Sequence, residues 1–276
     1  MAAEFHAGGS GEPLVLLHGF TDTWRAWTPV LPVLEQYHSV FAPTLPGHYG
    51  GETFPKGTRI SIPTTLDMIE RELDARGIER AHIAGSSLGG WLSLELAARG
   101  RALSVVCLCP AGCWEYGIPA PRAIRLYFHR NYLLLNAGRL LGLLETVARR
   151  PRSRALALRE VIARPQGVDA DAAYAMFIGS LGCSVVNDAL RLAASGDMFG
   201  ELGPIACPVR IAYGTRDRII RWPAHYVGIQ RRLPDADYLA LQGLGHLVMW
   251  DDPELTARTI LEVTAPDRAP QMVAAA

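Results

Sequence analysis

The most specific chemical signal in the sequence is a serine with a glycine two positions to either side, in Gly85-Ser86-Ser87-Leu88-Gly89. The motif follows an apolar run and precedes a helical pattern, which is the strand–turn–helix context of a nucleophile elbow. With 27 glycines in 276 residues, composition alone gives about 0.1 such matches. Side chains at the glycine positions would collide with the neighbouring strand and helix. We therefore predict that Ser87 is a nucleophile.

A serine hydroxyl needs a base to take its proton and an acid to orient that base. His246 lies in Gly243-Leu244-Gly245-His246, a loop whose glycines let the imidazole turn toward Ser87. Asp217 ends Gly214-Thr215-Arg216-Asp217, directly after the predicted strand 209–213. The chain order serine, aspartate, histidine across three strand ends favours His246 as the base and Asp217 as its orienting acid.

The reaction also needs donors for the charge that develops on the substrate oxygen. His18-Gly19-Phe20 follows the first apolar run, where a tight turn aims a backbone N–H toward the site. We expect the backbone N–H groups of Phe20 and Leu88 to form this oxyanion hole, because losing one such donor costs about 100- to 1000-fold in rate. His18 is expected to brace the loop.

These residues require a sheet that brings several strand ends side by side. Short apolar runs typical of buried strands alternate with helical patterns, which indicates parallel pairing with helices on both faces. A capping box at Thr64 predicts one helix start. The predicted strands comprise residues 14–17, 39–42, 81–85, 103–109, 209–213 and 238–241.

One long stretch interrupts the alternation. Residues 114–200 contain helical patterns and no convincing strand, and we predict a helical cap inserted between two parts of the core, 1–113 and 201–265. Trp114 opens the cap and is predicted to line the substrate pocket. Residues 266–276 are predicted to be a disordered tail. A wide apolar face in the cap comprises Leu133, Leu134, Ala137, Leu140, Leu141 and Leu144.

Composition excludes several classes of protein. Lys plus Arg and Asp plus Glu are both 27, which gives no basic excess for nucleic acid. No apolar run reaches the roughly 18 residues of a membrane span, and the start Met1-Ala2-Ala3-Glu4 is unlike a secretory signal. The five cysteines have no histidine at ligand spacing, so we expect free thiols in a reducing cytoplasm and no metal. No G-x-G-x-x-G follows a strand, and no cofactor is expected.

The sequence resembles the α/β-hydrolase superfamily over nearly its whole length. The resemblance implies the α/β-hydrolase fold, a mostly parallel doubly wound sheet with an inserted helical cap, and a catalytic triad at Ser87, Asp217 and His246. The family often has aspartate where this chain has Thr44. The resemblance rests on His18-Gly19, Pro46-Gly47-His48, Gly85-Ser86-Ser87-Leu88-Gly89-Gly90, Gly214-Thr215-Arg216-Asp217 and Gly245-His246.

The function favoured at this point is a serine hydrolase that cleaves a carboxylic ester or related acyl compound with an apolar portion. Two alternatives keep the triad: a carbon–carbon bond hydrolase of ring-fission products, and a biosynthetic thioesterase or cyclase. A third is a small-molecule receptor that retains the fold. The resemblance disfavours haloalkane dehalogenases and epoxide hydrolases, which have aspartate at the elbow where this chain has Ser87.

Overall fold

The computed structural model describes residues 4–267, which fold around one seven-stranded sheet of order β1-β3-β2-β4-β5-β6-β7. The edge strand β1 is antiparallel to β3, and the other five pairings are parallel. The predicted mostly parallel sheet is therefore confirmed. The strands are β1 Phe5–Gly9, β2 Pro13–Leu17, β3 Ser39–Pro43, β4 Ala81–Ser86, β5 Ala102–Leu108, β6 Val209–Gly214 and β7 Asp237–Leu241.

Helices cover both faces of the sheet, in keeping with the apolar strands. Val15 and Leu17 of β2 pack on one face, whereas Leu14 and Leu16 pack on the other. The first face is covered by α2 Ile62–Ala75, α3 Leu88–Ala98 and α9 Val227–Arg232, and the second by α1 Leu31–Leu34, α10 Val248–Asp251 and α11 Pro253–Thr264. Burial on both faces explains why the strands lack a polar alternation.

The segment between β5 and β6 contains helices and, within the described residues, no strand. It has an apolar core of its own that includes Leu135, Leu144, Leu158 and Phe177. The predicted apolar face is only partly buried, since four of its leucines are exposed. The helices are α4 Arg122–Leu140, α5 Leu144–Arg149, α6 Pro151–Leu158, α7 Ala170–Gly182 and α8 Val186–Ser195.

Two details differ from the sequence prediction. The capping box of α2 is formed by Ser61 and Thr64, so the helix begins at Ile62 and not after Thr64. Pro63 is compatible with this start because first-turn N–H groups have no partner within the helix. Strand β1 went unpredicted because its sequence, FHAGG, has no apolar run; at a sheet edge, a strand can leave every other residue exposed.

No single helix within residues 4–267 has the length and hydrophobicity to cross a membrane, although the bent pair α7–α8 passes that test by length and composition. Most of the predicted disordered tail, from residue 268 onward, lies outside the described residues.

Candidate active site

Ser87 occupies a strained turn between β4 and α3. Its φ of 53° and ψ of −114° are rarely adopted by residues with a side chain. Its N–H donates to the Leu108 carbonyl at 2.9 Å, and its carbonyl accepts from Gly90 and Ala111 at 3.0 and 2.8 Å. The surrounding strands and helix thus fix the turn from both sides, and this holds the Ser87 side chain at the carboxyl edge of the sheet.

The glycines of the motif are required by close backbone contacts. A Cβ on Gly89 would lie 2.0 Å from the Leu17 carbonyl oxygen, and one on Gly85 would lie 2.1 Å from the Gly89 carbonyl oxygen. A Cβ on Gly19 would lie 3.2 Å from the Ser87 Cβ. The turn after β2 and the elbow after β4 therefore pack directly against each other.

The Gly89→Ala variant is expected to lose about 3 kcal/mol of unfolding free energy, because backbone must move to admit the methyl group. Gly167→Ala is the matched control, since a Cβ there meets nothing within 4 Å, and it should change stability by less than about 1 kcal/mol. Urea unfolding of both variants measures the difference. Equal stabilities would contradict the close packing of the elbow.

Asp217 and His246 form a buried pair. His246 Nδ1 donates to Asp217 Oδ2 at 2.7 Å, and Asp217 Oδ1 accepts from the N–H groups of Ile219 and Ile220 at 2.7 and 2.9 Å. Because Nδ1 faces a carboxylate, it carries the proton, and Nε2 is left as the acceptor. The structure therefore brings the two residues together in the arrangement of an oriented base.

The loop that carries His246 is anchored to the helical segment. The N–H groups of His246 and Leu247 both donate to the Val161 carbonyl, at 2.9 and 2.8 Å. The Asp251 carboxylate accepts from the backbone N–H groups of Gly245, Ala163 and Arg164 at 2.7, 3.0 and 2.6 Å. Asp251 thus connects the loop of His246 to the helical segment between β5 and β6. No sequence pattern indicates this role.

Ser87 and His246 line one cavity of about 90 Å³, together with Gly19, Phe20 and Asp22. Within the described chain, Ser87 Oγ and His246 Nε2 do not hydrogen-bond to each other. Such contacts often tighten only when substrate binds, so the arrangement is compatible with proton transfer between them.

Two backbone donors beside Ser87 are free. In the described part of the chain, the N–H groups of Phe20 and Leu88 donate to no other protein group. His18 braces the first of these loops, because its Nδ1 donates to the Gly19 carbonyl at 2.8 Å and its Nε2 accepts from the Leu45 N–H at 2.9 Å. Burial lowers the pKa of His18 well below its usual value, so the ring is neutral.

One group of potential metal ligands occurs among the described residues. Ligand atoms of Cys109, Asp217 and His246 lie within 4.8 Å of one another, and all three residues are buried. However, Asp217 already accepts the proton of His246 Nδ1, and burial raises the pKa of the Cys109 thiol well above its usual value. The three donors are thus engaged in the Asp217–His246 hydrogen bond and in a protonated thiol beside it.

A second cavity, of about 50 Å³, also borders Ser87. Trp114 lines it together with Leu88, Ile124 and Arg125. Phe20, Ser87 and Phe128 border both cavities. The serine hydroxyl thus lies between a largely apolar cavity and a more polar one that contains His246.

Asp22 is a cavity residue that the sequence analysis missed, because nothing distinguishes it from an ordinary turn aspartate. Its Oδ1 accepts from the Thr23 N–H at 2.8 Å, and no described arginine or lysine forms an ion pair with it. Burial raises the pKa of Asp22 from 3.8 to about 6. The Asp22 carboxyl group therefore keeps its proton to a higher pH than an exposed aspartate does.

The Asp22→Asn variant is expected to be more stable than the wild type near pH 8 and equally stable below about pH 4. A carboxyl pKa raised from 3.8 to about 6 favours the protonated form in the folded state. Stability is therefore lost as the pH rises from the unfolded value to the folded one, and the loss is complete above about pH 6. Because Asp22 is only partly buried, we expect a gain of about 1–2 kcal/mol.

Thermal unfolding at both pH values tests this expectation, with Asp235→Asn as the control at an exposed turn. A gain that is the same at pH 4 and pH 8, or one matched by the control, would contradict the unpaired Asp22 carboxylate.

The chain is similar in sequence to known hydrolases. The model of the alpha/beta hydrolase family matches residues 14–259. The epoxide hydrolase EphH of Mycobacterium tuberculosis is 32% identical over 198 residues, which are 70% of this chain and 90% of that protein. A 2-hydroxy-6-oxo-2,4-heptadienoate hydrolase of Pseudomonas putida is 34% identical over 97 residues, 34% of this chain and only 35% of that protein.

Among solved structures, a bacterial membrane phospholipase A is similar in fold. It superposes with a TM-score of 0.71 at 23% identity, over 96% of this chain and 83% of the other. At that identity the likeness extends to the fold alone, and it agrees with the α/β-hydrolase fold predicted from the sequence.

Proposed function

The chain belongs to the alpha/beta hydrolase family, and we propose that it is a serine hydrolase of carboxylic esters or related acyl compounds. The observation that carries the proposal is the cavity shared by Ser87, on its strained turn, and His246, oriented by Asp217. A hydroxyl nucleophile, a base and an orienting acid are the minimum set for acyl transfer. The three residues form the proposed catalytic triad.

In the proposed reaction, Ser87 Oγ attacks the acyl carbon while its proton moves to His246 Nε2. Asp217 keeps the other ring nitrogen protonated and stabilises the imidazolium that forms. The charge that develops on the carbonyl oxygen is stabilised by the N–H groups of Phe20 and Leu88, which are not used elsewhere. The imidazolium then protonates the leaving group, and water activated by His246 releases the acid from Ser87.

The helical segment serves as a cap in this proposal. Cap residues Trp114, Ile124 and Phe128 line the apolar cavity beside Ser87 and supply a surface for the apolar portion of the substrate. The other cavity contains His246 and takes the leaving group, because that is where the proton is delivered. Hydrogen bonds that join His246, Leu247 and Asp251 to residues 161–164 hold the cap against the catalytic loop.

The epoxide hydrolase relative suggests cleavage of an epoxide carbon–oxygen bond. A serine nucleophile argues against that reaction. Attack of a serine hydroxyl on an epoxide carbon would form an alkyl ether, which offers water no acyl carbon to attack. A carboxylate nucleophile would instead form an ester that water can cleave. Ser87 therefore favours an acyl substrate over an epoxide.

A carbon–carbon bond hydrolase is the second candidate function. Arg125 lines the apolar cavity beside Ser87, and a guanidinium there suits the carboxylate of a ring-fission dienoate. The partial match to a hydrolase of such a compound also points this way. However, the Arg125 Nε donates to the Ala120 carbonyl at 3.0 Å, which restricts the side chain.

Hydrolysis of p-nitrophenyl esters with acyl chains of increasing length tests the first proposal. We expect turnover with an optimum at short to medium chains, because the apolar cavity is small. Loss of the dienoate absorbance, with no ester turnover, would instead support carbon–carbon cleavage. Inertness toward both classes would contradict an acyl or carbon–carbon hydrolase and favour the receptor alternative.

We propose a reducing compartment as the site of action. The chain has five cysteines, all free, of which Cys107, Cys109, Cys113 and Cys183 are buried. Unpaired buried thiols are typical of the cytoplasm, where thiols are kept reduced.

A further inference from the structure

An exposed apolar surface covers part of the cap, and the proposed reaction does not use it. Seven leucines are exposed in the described chain, and all of them lie within residues 122–164. We call the exposed surface of these residues the arginine–leucine face. Burying one such side chain is worth about 1.5–3 kcal/mol, so a cluster of exposed leucines points to a binding surface. They are Leu126, Leu133, Leu134, Leu140, Leu141, Leu143 and Leu156.

The geometry of α4 makes this surface continuous. Leu126, Leu133 and Leu140 are seven residues apart, about two helical turns, and so lie along one side of the helix. Ile124 and Leu135 on the same helix are buried. Helix α4 therefore packs one side against the protein and exposes a second apolar side. Leu140 on that side is 81% exposed, and Leu141, which follows the helix, is 70% exposed.

The same residues carry a concentrated positive charge. Residues 122–164 contain ten arginines, two glutamates and no aspartate or lysine, a formal charge of +8 in a chain whose total is zero. The remaining residues therefore carry −8. Only Arg130 and Arg149 have a carboxylate partner among the described residues, Glu160 and Glu145 respectively.

Leucines and arginines meet at one groove in this face. Arg130 and Leu134 of α4 line it on one side, and Leu156 and Arg159 line it from α6 and its carboxyl end. The groove has a volume of about 610 Å³. Arg130 is paired with Glu160, which also lines the groove, whereas Arg159 has no carboxylate partner among the described residues. Apolar side chains and guanidinium groups thus occupy the same surface, so a partner must satisfy both.

We propose that the arginine–leucine face docks on an anionic lipid bilayer. The leucines enter the boundary between headgroups and acyl chains, while the exposed arginines extend to the negatively charged headgroups. Arg125 and Arg154 are only partly exposed, and the other eight arginines of this segment are exposed. Anionic lipids are abundant on cytoplasmic leaflets, and each arginine near such a surface contributes to binding. A bilayer matches both features of the face, its exposed leucines and its charge of +8.

Two other occupants fit the face less well. A second copy of the chain would bring +8 against +8, and like charges across an interface repel. A nucleic acid would pair with the arginines but leave seven exposed leucines in contact with water. An anionic bilayer satisfies the leucines and the arginines together.

Docking would also give a lipid substrate a route to Ser87, a consequence that rests on the proposed function. Tyr127, Asn131 and Leu135 line both the groove and the cavity that contains Ser87 and His246. An ester held in the bilayer therefore lies next to the groove, one layer of side chains from the catalytic cavity.

Vesicle co-sedimentation of the full chain tests the docking. The two vesicles are phosphatidylcholine alone and an equal mixture of phosphatidylcholine and phosphatidylglycerol. We expect the wild type to sediment with the anionic vesicles, at least about tenfold more strongly than with the neutral ones, and to be released as salt is raised. The Ser87→Ala variant should bind as the wild type does, which separates docking from the proposed catalysis.

Surface variants identify the face that binds. Leu133→Gln/Leu140→Gln/Leu141→Gln replaces three exposed leucines with a residue of similar helix propensity, and it should weaken binding at least about tenfold. The matched control is Tyr116→Gln/Ile118→Gln/Val227→Gln, which changes three exposed apolar residues outside the face and should bind like the wild type. Circular dichroism checks that both variants are folded.

Several results would overturn the proposal. One is an absence of binding to anionic vesicles; another is equal binding to both vesicles. A triple leucine variant that binds like its control would also exclude this face. If size-exclusion chromatography with light scattering shows a dimer that the leucine variant converts to a monomer, the face is an interface between copies.

Discussion

Replacement of Ser87 by alanine is expected to lower kcat for ester hydrolysis by about 10⁴- to 10⁶-fold. The change removes the only atom that bonds to the acyl carbon in the proposed reaction, while the strained backbone of the elbow remains fixed by Leu108, Gly90 and Ala111. The residual rate reflects the two N–H donors and substrate binding alone. Steady-state hydrolysis of the best p-nitrophenyl ester measures the loss.

Ser86→Ala is the matched control for this change. Ser86 precedes the nucleophile, is fully buried and has an Oγ without a hydrogen-bond partner in the described chain. Its removal leaves no new unsatisfied group, so kcat should stay within about threefold of the wild type. If Ser87→Ala keeps more than about 1% of the activity, or if Ser86→Ala loses as much, the proposed nucleophile is wrong.

The Asp217→Asn variant is expected to lower kcat by about 10⁴-fold. Asp217 Oδ2 accepts the proton of His246 Nδ1; an amide NH₂ in that place makes the imidazole adopt the opposite tautomer, with Nε2 protonated and unable to take the Ser87 proton. The asparagine oxygen can still accept from Ile219 and Ile220. The fold is therefore preserved while the base is disabled.

Two comparisons separate this effect from a general loss of structure. Asp235→Asn changes an exposed aspartate outside the site and should retain wild-type kcat. The melting temperature of Asp217→Asn should remain close to that of the wild type, and its KM should change far less than kcat. A kcat loss of less than tenfold in a folded Asp217→Asn protein would mean that Asp217 does not orient the base.

Much of the core was predictable from the sequence because local composition specified it. Short runs of branched apolar residues mark strands buried on two faces. Glycine is required at 85 and 89 because a Cβ at either position would lie about 2 Å from a backbone carbonyl oxygen. The ends of parallel strands lie at one sheet edge, so the order of Ser87, Asp217 and His246 predicted their proximity. In the structure, His246 Nδ1 and Asp217 Oδ2 are 2.7 Å apart.

Other features depend on contacts between distant parts of the chain, and no local pattern indicates them. Asp251 accepts from Ala163 and Arg164, 88 and 87 residues away in sequence. The pKa of Asp22 depends on how much water the folded cavity excludes. Likewise, the leucines of α4 have helical spacing, but the spacing does not distinguish a buried side from an exposed one.

The arginine–leucine face illustrates a different reason. A total charge of zero concealed a segment of +8 and a remainder of −8, although the difference is present in the sequence. Charge within a window of residues would have indicated the segment. The exposure of this face, however, depends on how α4 packs against α7 and α8. The sequence does not show which side is exposed, because either side of the helix is apolar enough to be buried.

Covalent labelling tests the central claim, that Ser87 is an activated nucleophile, most directly. The wild-type protein is incubated with a fluorophosphonate, which phosphonylates activated serines with loss of fluoride, and the modified peptide is identified by mass spectrometry. We predict one adduct, on Ser87, which is absent from the Ser87→Ala protein and forms far more slowly in the Asp217→Asn protein. An unlabelled wild type, or an adduct on another residue with Ser87 unmodified, would contradict the proposed mechanism.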